Sequence, residues 1–164
     1  MAYQHLPAML DASFAQHAGL PAQRVKVGDA WQITSYAELD RQVRRLAAAL
    51  VDMDVAAGDR MAIFAGNRPQ WSLADLAGIR IGVAPVSLYA TSTSEQVRHI
   101  LRDSGSVAAV VGGAAEYERL AAVRAELPDL RVVISMDRLD DPGVVALADL
   151  LAGEAAPATV AEVD

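Results

Sequence analysis

The sequence predicts an α/β fold: a doubly wound, mostly parallel sheet with helices on both faces, plus a small amino-terminal helix and β-hairpin. Three observations carry this. The runs Met61–Ala65, Val83–Ser87, Val107–Val111 and Val132–Ser135 are short, β-rich and apolar on both faces, as strands covered on two sides must be. Between them lie helical segments, Pro69–Ile81, Ser94–Ser104 and Ala114–Leu127. The connections are short, and successive β-α-β units joined in this way build a sheet with right-handed crossovers.

In chain order, Leu6, Met9, Leu10, Phe14 and Ala18 fall at helical spacing, and Gly19-Leu20-Pro21 ends that helix. Arg24–Val27 and Trp31–Thr34 are β-like runs separated by Gly28-Asp29-Ala30, the pattern of a tight hairpin. Ser35-Tyr36-Ala37-Glu38 reads as a capping box, in which both side chains satisfy free amide donors at a helix start. Tyr36, Leu39, Val43, Leu46 and Leu50 then form one apolar stripe opposite Arg41, Arg44 and Arg45. Asp40 and Arg44, four apart, are placed to pair on the solvent face.

The segment from Pro69 is apolar nearly all round and reads as a buried helix, with Asn67 as its cap and Pro69 in its first turn. Val97, Ile100 and Leu101 make the core stripe of the next helix, which Gly105 stops. Tyr117, Leu120, Val123 and Leu127 do the same for the third, closed by Pro128. Asp140-Asp141-Pro142-Gly143 is a turn, and Val144–Leu151 reads as one short helix. Residues 1–152 read as one subdomain and residues 153–164, rich in Ala, acid and Pro, as a linker-like tail.

Composition narrows the function. Among 164 residues, 53% are hydrophobic and 21% charged, which supports a packed core rather than disorder. Fourteen basic residues against twenty-one acidic ones give a net charge of −7, the wrong sign for gripping a nucleic acid backbone. Lys26 is the sole lysine, and no cysteine is present, which excludes disulfides and thiolate chemistry. No apolar run reaches the roughly 18 residues of a membrane helix, and the amino end lacks a signal-peptide pattern, so the expectation is a soluble, cytoplasmic protein.

In open α/β sheets, ligands bind beyond the carboxyl ends of the strands. Two polar loops fall there, Gly66-Asn67-Arg68-Pro69 and Leu88-Tyr89-Ala90-Thr91-Ser92-Thr93-Ser94. One reading makes Asn67, Arg68, Tyr89 and Thr91 the rim of a substrate pocket or of an interdomain contact. The plainer reading makes Asn67 and Ser92 helix caps, Ser92-x-x-Glu95 a capping box and Arg68 a solvated side chain. Gly112-Gly113 lies between strand and helix, but the residues that follow, Ala114-Ala115-Glu116-Tyr117, break the G-x-G-x-x-G pattern and place a carboxylate where a pyrophosphate would sit. His5, His17 and His99 are scattered without metal-ligand spacing, no G-x-S-x-G surrounds a serine, and Asp137, Asp140 and Asp141 read as turn residues. Trp31 and Trp71 read as wholly or partly buried packing residues. No catalytic residue and no metal ligand is assigned.

Ile33-Thr34-Ser35-Tyr36-Ala37-Glu38-Leu39 and Gly58-Asp59-Arg60-Met61-Ala62-Ile63 resemble the amino-terminal region of the adenylate-forming acyl-CoA synthetases. So do Asn67-Arg68-Pro69-Gln70-Trp71, Ala74-Asp75-Leu76-Ala77 and the stretch Gln96–Gly105. Val86-Ser87-Leu88-Tyr89-Ala90-Thr91-Ser92 resembles the long-chain fatty-acid branch. The likeness spans His5 to Ser135. It implies a ligase that activates a carboxylate with ATP and Mg²⁺ to an acyl-adenylate and transfers the acyl group to CoA. The family's phosphate loop, adenine and magnesium motifs and mobile carboxy-terminal domain lie further along than this sequence. The resemblance therefore implies an amino-terminal subdomain that is inactive alone and binds none of these cofactors tightly. The partners it implies are a fatty acid in the whole enzyme, the remaining subdomains, a second copy in a homodimer and the membrane surface at the periphery. Two other readings stay open: a free-standing interaction module, and a small nucleotide-binding domain using loops 66–69 and 112–113.

Overall fold

The computed structural model describes residues 5–152. The tail 153–164 lies outside the described residues. A helix α1 (Leu6–Gln16) precedes the hairpin β1 (Pro21–Val27) and β2 (Ala30–Ser35), which turns at Gly28 with φ 59°. Helix α2 (Tyr36–Asp52) leads into β3 (Arg60–Phe64), α3 (Pro69–Arg80), β4 (Ala84–Leu88), α4 (Ser94–Ser104) and β5 (Ala108–Val111). Then come α5 (Ala114–Ala121), a 3-10 turn (Arg124–Glu126), β6 (Val132–Ser135), β7 (Val145–Ala146) and α6 (Leu147–Ala152).

Strands β3 to β7 form a five-stranded sheet in the order β4-β3-β5-β6-β7, every pair parallel. Alternation along each strand divides the core in two. Met61, Ile63, Ala108, Val110 and Ile134 face α1, α2, α3 and α6, where Phe14, Val43, Leu46, Leu50 and Leu73 pack. Ala62, Phe64, Ala109, Val111 and Val133 face α4 and α5, against Val97, Leu101 and Leu120. Helices thus cover both faces, and the sheet is doubly wound. Successive strands are added on one side of β3 and then on the other, so the order of winding reverses between β3 and β5, and the crevice outside their carboxyl ends is the topological switch point. Among the described residues no helix is long and apolar enough to cross a membrane.

Several local expectations are corrected. Ser35 Oγ accepts the Glu38 amide at 3.2 Å, but Glu38 turns to Arg41 and Gln42 instead of closing a capping box. The reason is that Ser35 still belongs to β2, opposite Pro21. The box at α4 is built one residue later than the sequence pattern suggests. Thr93, not Ser92, accepts the Gln96 amide, and the Gln96 side chain accepts the Thr93 amide at 2.9 Å, while Ser92 is buried. Asn67 does not cap α3, whose N-cap is Arg68 without a side-chain bond. The helix from Ala114 stops at Ala121, and Val145–Ala146 extends the sheet beside β6 before α6 begins. Trp31 is 63% exposed, because it shares the outer face of the hairpin with its cross-strand neighbour Lys26. Asp40 and Arg44 pair at 2.9 Å, but in a half-buried cluster between helices and not on the open face.

Candidate functional site

The residues after β3 and β4 sit side by side because these strands are hydrogen-bonded neighbours in register, Phe64 opposite Leu88. Between their ends lies an open groove of about 620 Å³. Ala65, Gly66 and Asn67 form one wall with Trp71 from the first turn of α3, and Ser87 to Thr91 form the other. Tyr89 stands 85% exposed at the rim. The second wall is a turn closed by the Ser92 amide on the Tyr89 carbonyl at 2.9 Å.

Three of the four residues expected at the rim, Asn67, Tyr89 and Thr91, therefore do meet at one groove. Arg68 does not line it. Its guanidinium runs back across the switch point, donating to the Gly112 carbonyl at 3.1 Å, to Asp137 Oδ1 at 2.8 Å and to Gln70 Oε1 at 3.1 Å. One side chain so ties the ends of β3, β5 and β6. The Arg68 guanidinium holds the Asp137 carboxyl below the ordinary carboxylate range, and Asp137 in turn pushes the Arg68 value up. Arg68 is thus turned away from the groove's lining and held by Asp137 and Gly112.

On the other side of the sheet end, Arg119 of α5 donates to the Ser92 carbonyl at 3.1 Å and lies over the buried Phe64 ring at 5.0 Å. This residue was missed in the sequence, where it reads as one of the polar positions of an amphipathic helix. Its partner Ser92 is 27 residues away, and no local pattern marks such a pair.

The groove offers an amide, three hydroxyls and two aromatic rings. Such a set binds by hydrogen bonding and stacking, and it contains no nucleophile paired with a base. Among the described residues no three His, Asp or Glu side chains gather to hold a metal ion. At the switch point Arg68 is committed to Asp137 and Gly112, and the Glu116 carboxylate beside Gly112 pairs with Arg119 at 3.6 Å.

A parallel, doubly wound sheet with a groove at its carboxyl edge defines an open α/β domain. The family model for AMP-binding enzymes matches residues 11–162, and the chain belongs to that family. It is 33% identical over 121 residues to the long-chain-fatty-acid–CoA ligase FadD15 of Mycobacterium bovis, covering 69% of this chain and 20% of that protein. It is 27% identical over 137 residues to the long-chain-fatty-acid–CoA ligase heimdall of Drosophila melanogaster, covering 81% of this chain and 20% of that one. The acetoacetyl-CoA synthetase from Streptomyces lividans superposes with a TM-score of 0.82 at 25% identity, over 92% of this chain and 25% of that chain. The chain spans about a fifth of the length of the curated relatives it matches.

Proposed function

We propose that residues 1–152 are the amino-terminal subdomain of an AMP-forming ligase. The whole enzyme activates a long-chain fatty acid with ATP and Mg²⁺ to an acyl-adenylate and passes the acyl group to CoA. The observation that carries this is the family match over residues 11–162, joined to two relatives named as long-chain-fatty-acid–CoA ligases. In that enzyme Asn67, Tyr89 and Thr91 form the rim of a substrate pocket or of a contact with a neighbouring subdomain. No step of the reaction is assigned to the described residues, and in this reading the chain alone is inactive. The enzyme works in the cytoplasm with peripheral contact to membranes, where its substrate resides, and pairs through this subdomain with a second copy.

The test compares the purified 164-residue chain with the product of the gene's full reading frame. Each is supplied with ATP, Mg²⁺, CoA and palmitate. The expected result is palmitoyl-CoA from the second and none from the first. Failure of the full product to form an acyl-adenylate with any acid from acetate to stearate would overturn the reading. Thioester formation by the 164-residue chain alone would overturn the claim that it is inactive by itself.

A further inference from the structure

Beyond Phe64 and Leu88 both walls of the groove continue as loops, 65–68 and 89–93, which the strand pairing no longer holds. Each is braced from behind by one arginine. Arg68 anchors the 65–67 wall to β5 and β6 through Gly112 and Asp137. Arg119 anchors the 88–91 wall to α5 through the Ser92 carbonyl, with its guanidinium fixed over Phe64 and its Nε on the Ala115 carbonyl at 2.9 Å. The bracing on the Arg68 side is built tightly. A Cβ on Gly113 would lie 2.7 Å from Asp137 Oδ2, and one on Gly112 would lie 3.2 Å from the Ala65 Cβ.

Magnitudes indicate what these contacts do. Arg68 and Asp137 side chains are 32% and 58% exposed, and exposed ion pairs are worth about 0–1 kcal/mol to global stability. A contact that contributes so little to folding, yet spans three strand ends with directional bonds, acts on local geometry. A guanidinium is suited to that task, because its planar fork meets a carbonyl and a carboxylate at once, which an ammonium on a flexible stem does not do.

We propose that Arg68 and Arg119 are positioning residues that set the width of the groove between Asn67–Trp71 and Tyr89–Thr91, and with it the fit of the ligand group bound there. The proposal rests on the ligase reading only for the identity of that ligand. The brace itself belongs to this chain.

The experiment uses R68A, R68K, R119A and R119K. In the 164-residue chain, amide hydrogen exchange is read for peptides over 65–72 and 87–93, alongside the melting temperature. R68A is expected to speed exchange in 65–72 about tenfold and R119A in 87–93 by a similar factor, each leaving the rest of the sheet unchanged. R68K is expected to fail to restore protection, since lysine reaches Gly112 or Asp137 but not both. In the full-frame ligase the same variants raise KM for one of palmitate, ATP or CoA about tenfold while kcat stays within about twofold. Unchanged exchange in both loops overturns the proposal. So does exchange that rises uniformly over the sheet with a large fall in melting temperature, or full rescue by R68K, because either marks a general structural or charge role. If the wild-type ligase is inactive with every acid, the ligase reading falls, and the exchange data alone decide the brace.

Discussion

Asp11 Oδ1 lies 2.6 Å from the buried Nη1 of Arg80 and 3.0 Å from Nη2 of Arg44, so one carboxylate of α1 joins α2 and α3. Arg80 is 1% exposed, and its Nε and Nη2 have no hydrogen-bond partner among the described residues. Asp40 stands 3.9 Å from the same guanidinium and grips Arg44 through both its oxygens. Breaking a buried pair from one side leaves an uncompensated charge, whereas replacing the buried ion by an apolar side chain of similar length is often neutral. Asp11→Ala is therefore expected to cost about 2–3 kcal/mol, below the full buried-pair range because Asp11 is 40% exposed and Asp40 remains. Arg80→Met is expected to stay within about 1 kcal/mol of wild type. Urea midpoints at constant slope measure both, and a larger loss for Arg80→Met would refute the asymmetry.

Gly105 closes α4 in the left-handed region, φ 60°, where a Cβ would meet Arg60 Nη2 at 2.7 Å. Arg60 satisfies the helix end by donating to the Ser104 carbonyl through Nε and to the Gly105 carbonyl through Nη2, at 2.6 and 3.2 Å. Gly105→Ala strains the backbone and pushes this side chain off its carbonyls, for an expected loss of about 1–2 kcal/mol. Gly105→Asn should lose less, since asparagine tolerates this conformation. Thermal melts of the two variants check the order, and equal losses would mean that the Arg60 clash, not φ, dominates.

The strands were legible because burial on both faces writes itself as an unbroken apolar run, and β3, β5 and β6 match those runs to within one residue. The capping frame at α4 was not. Ser92-Thr93-Ser94 offers three hydroxyls in a row, and only packing decides that Ser92 is buried and Thr93 caps. Strand β7 is two residues long, too short for any period to show, and its pairing with Ile134 and Ser135 is a tertiary fact. At the groove, the pairing of β3 with β4 brings Asn67, Tyr89 and Thr91 together, as strand adjacency alone would. The ties of Arg68 were not legible, because its carboxylate partner is 69 residues away. Trp31 was misjudged by hydrophobicity, since a two-stranded hairpin buries at most one face.

Asp75 in α3 is partly buried with no charged partner among the described residues, and desolvation raises its carboxyl above the ordinary value of 3.8. The native state thus holds this proton more tightly than the unfolded chain, so stability falls as pH rises through the shifted value. Asp75→Asn removes the buried charge and is expected to melt higher than wild type at neutral pH. The difference should shrink as the pH is lowered through the raised value and be gone below the ordinary 3.8, where Asp75 is neutral in both states. Melting curves of both proteins across that range check the sign; a variant less stable than wild type at neutral pH would show that the carboxylate has a favourable partner in solution.

Trp31 and Leu46 are both large and apolar, yet the fold uses them differently. Leu46 is fully buried where α2 meets the sheet, and Leu46→Ala is expected to cost about 2–5 kcal/mol, as a lost side chain plus the cavity left behind. Trp31 is 63% exposed on the outer face of the hairpin, opposite Lys26, and its ring touches solvent over most of its area. Trp31→Ala is expected to change stability by no more than about 0.5 kcal/mol, the range for surface positions free of special features. Hydrophobicity alone ranks the tryptophan as the costlier loss; burial reverses that order. Paired denaturation curves decide between them, and a loss at Trp31 as large as that at Leu46 would mean that the outer face of the hairpin is covered in solution.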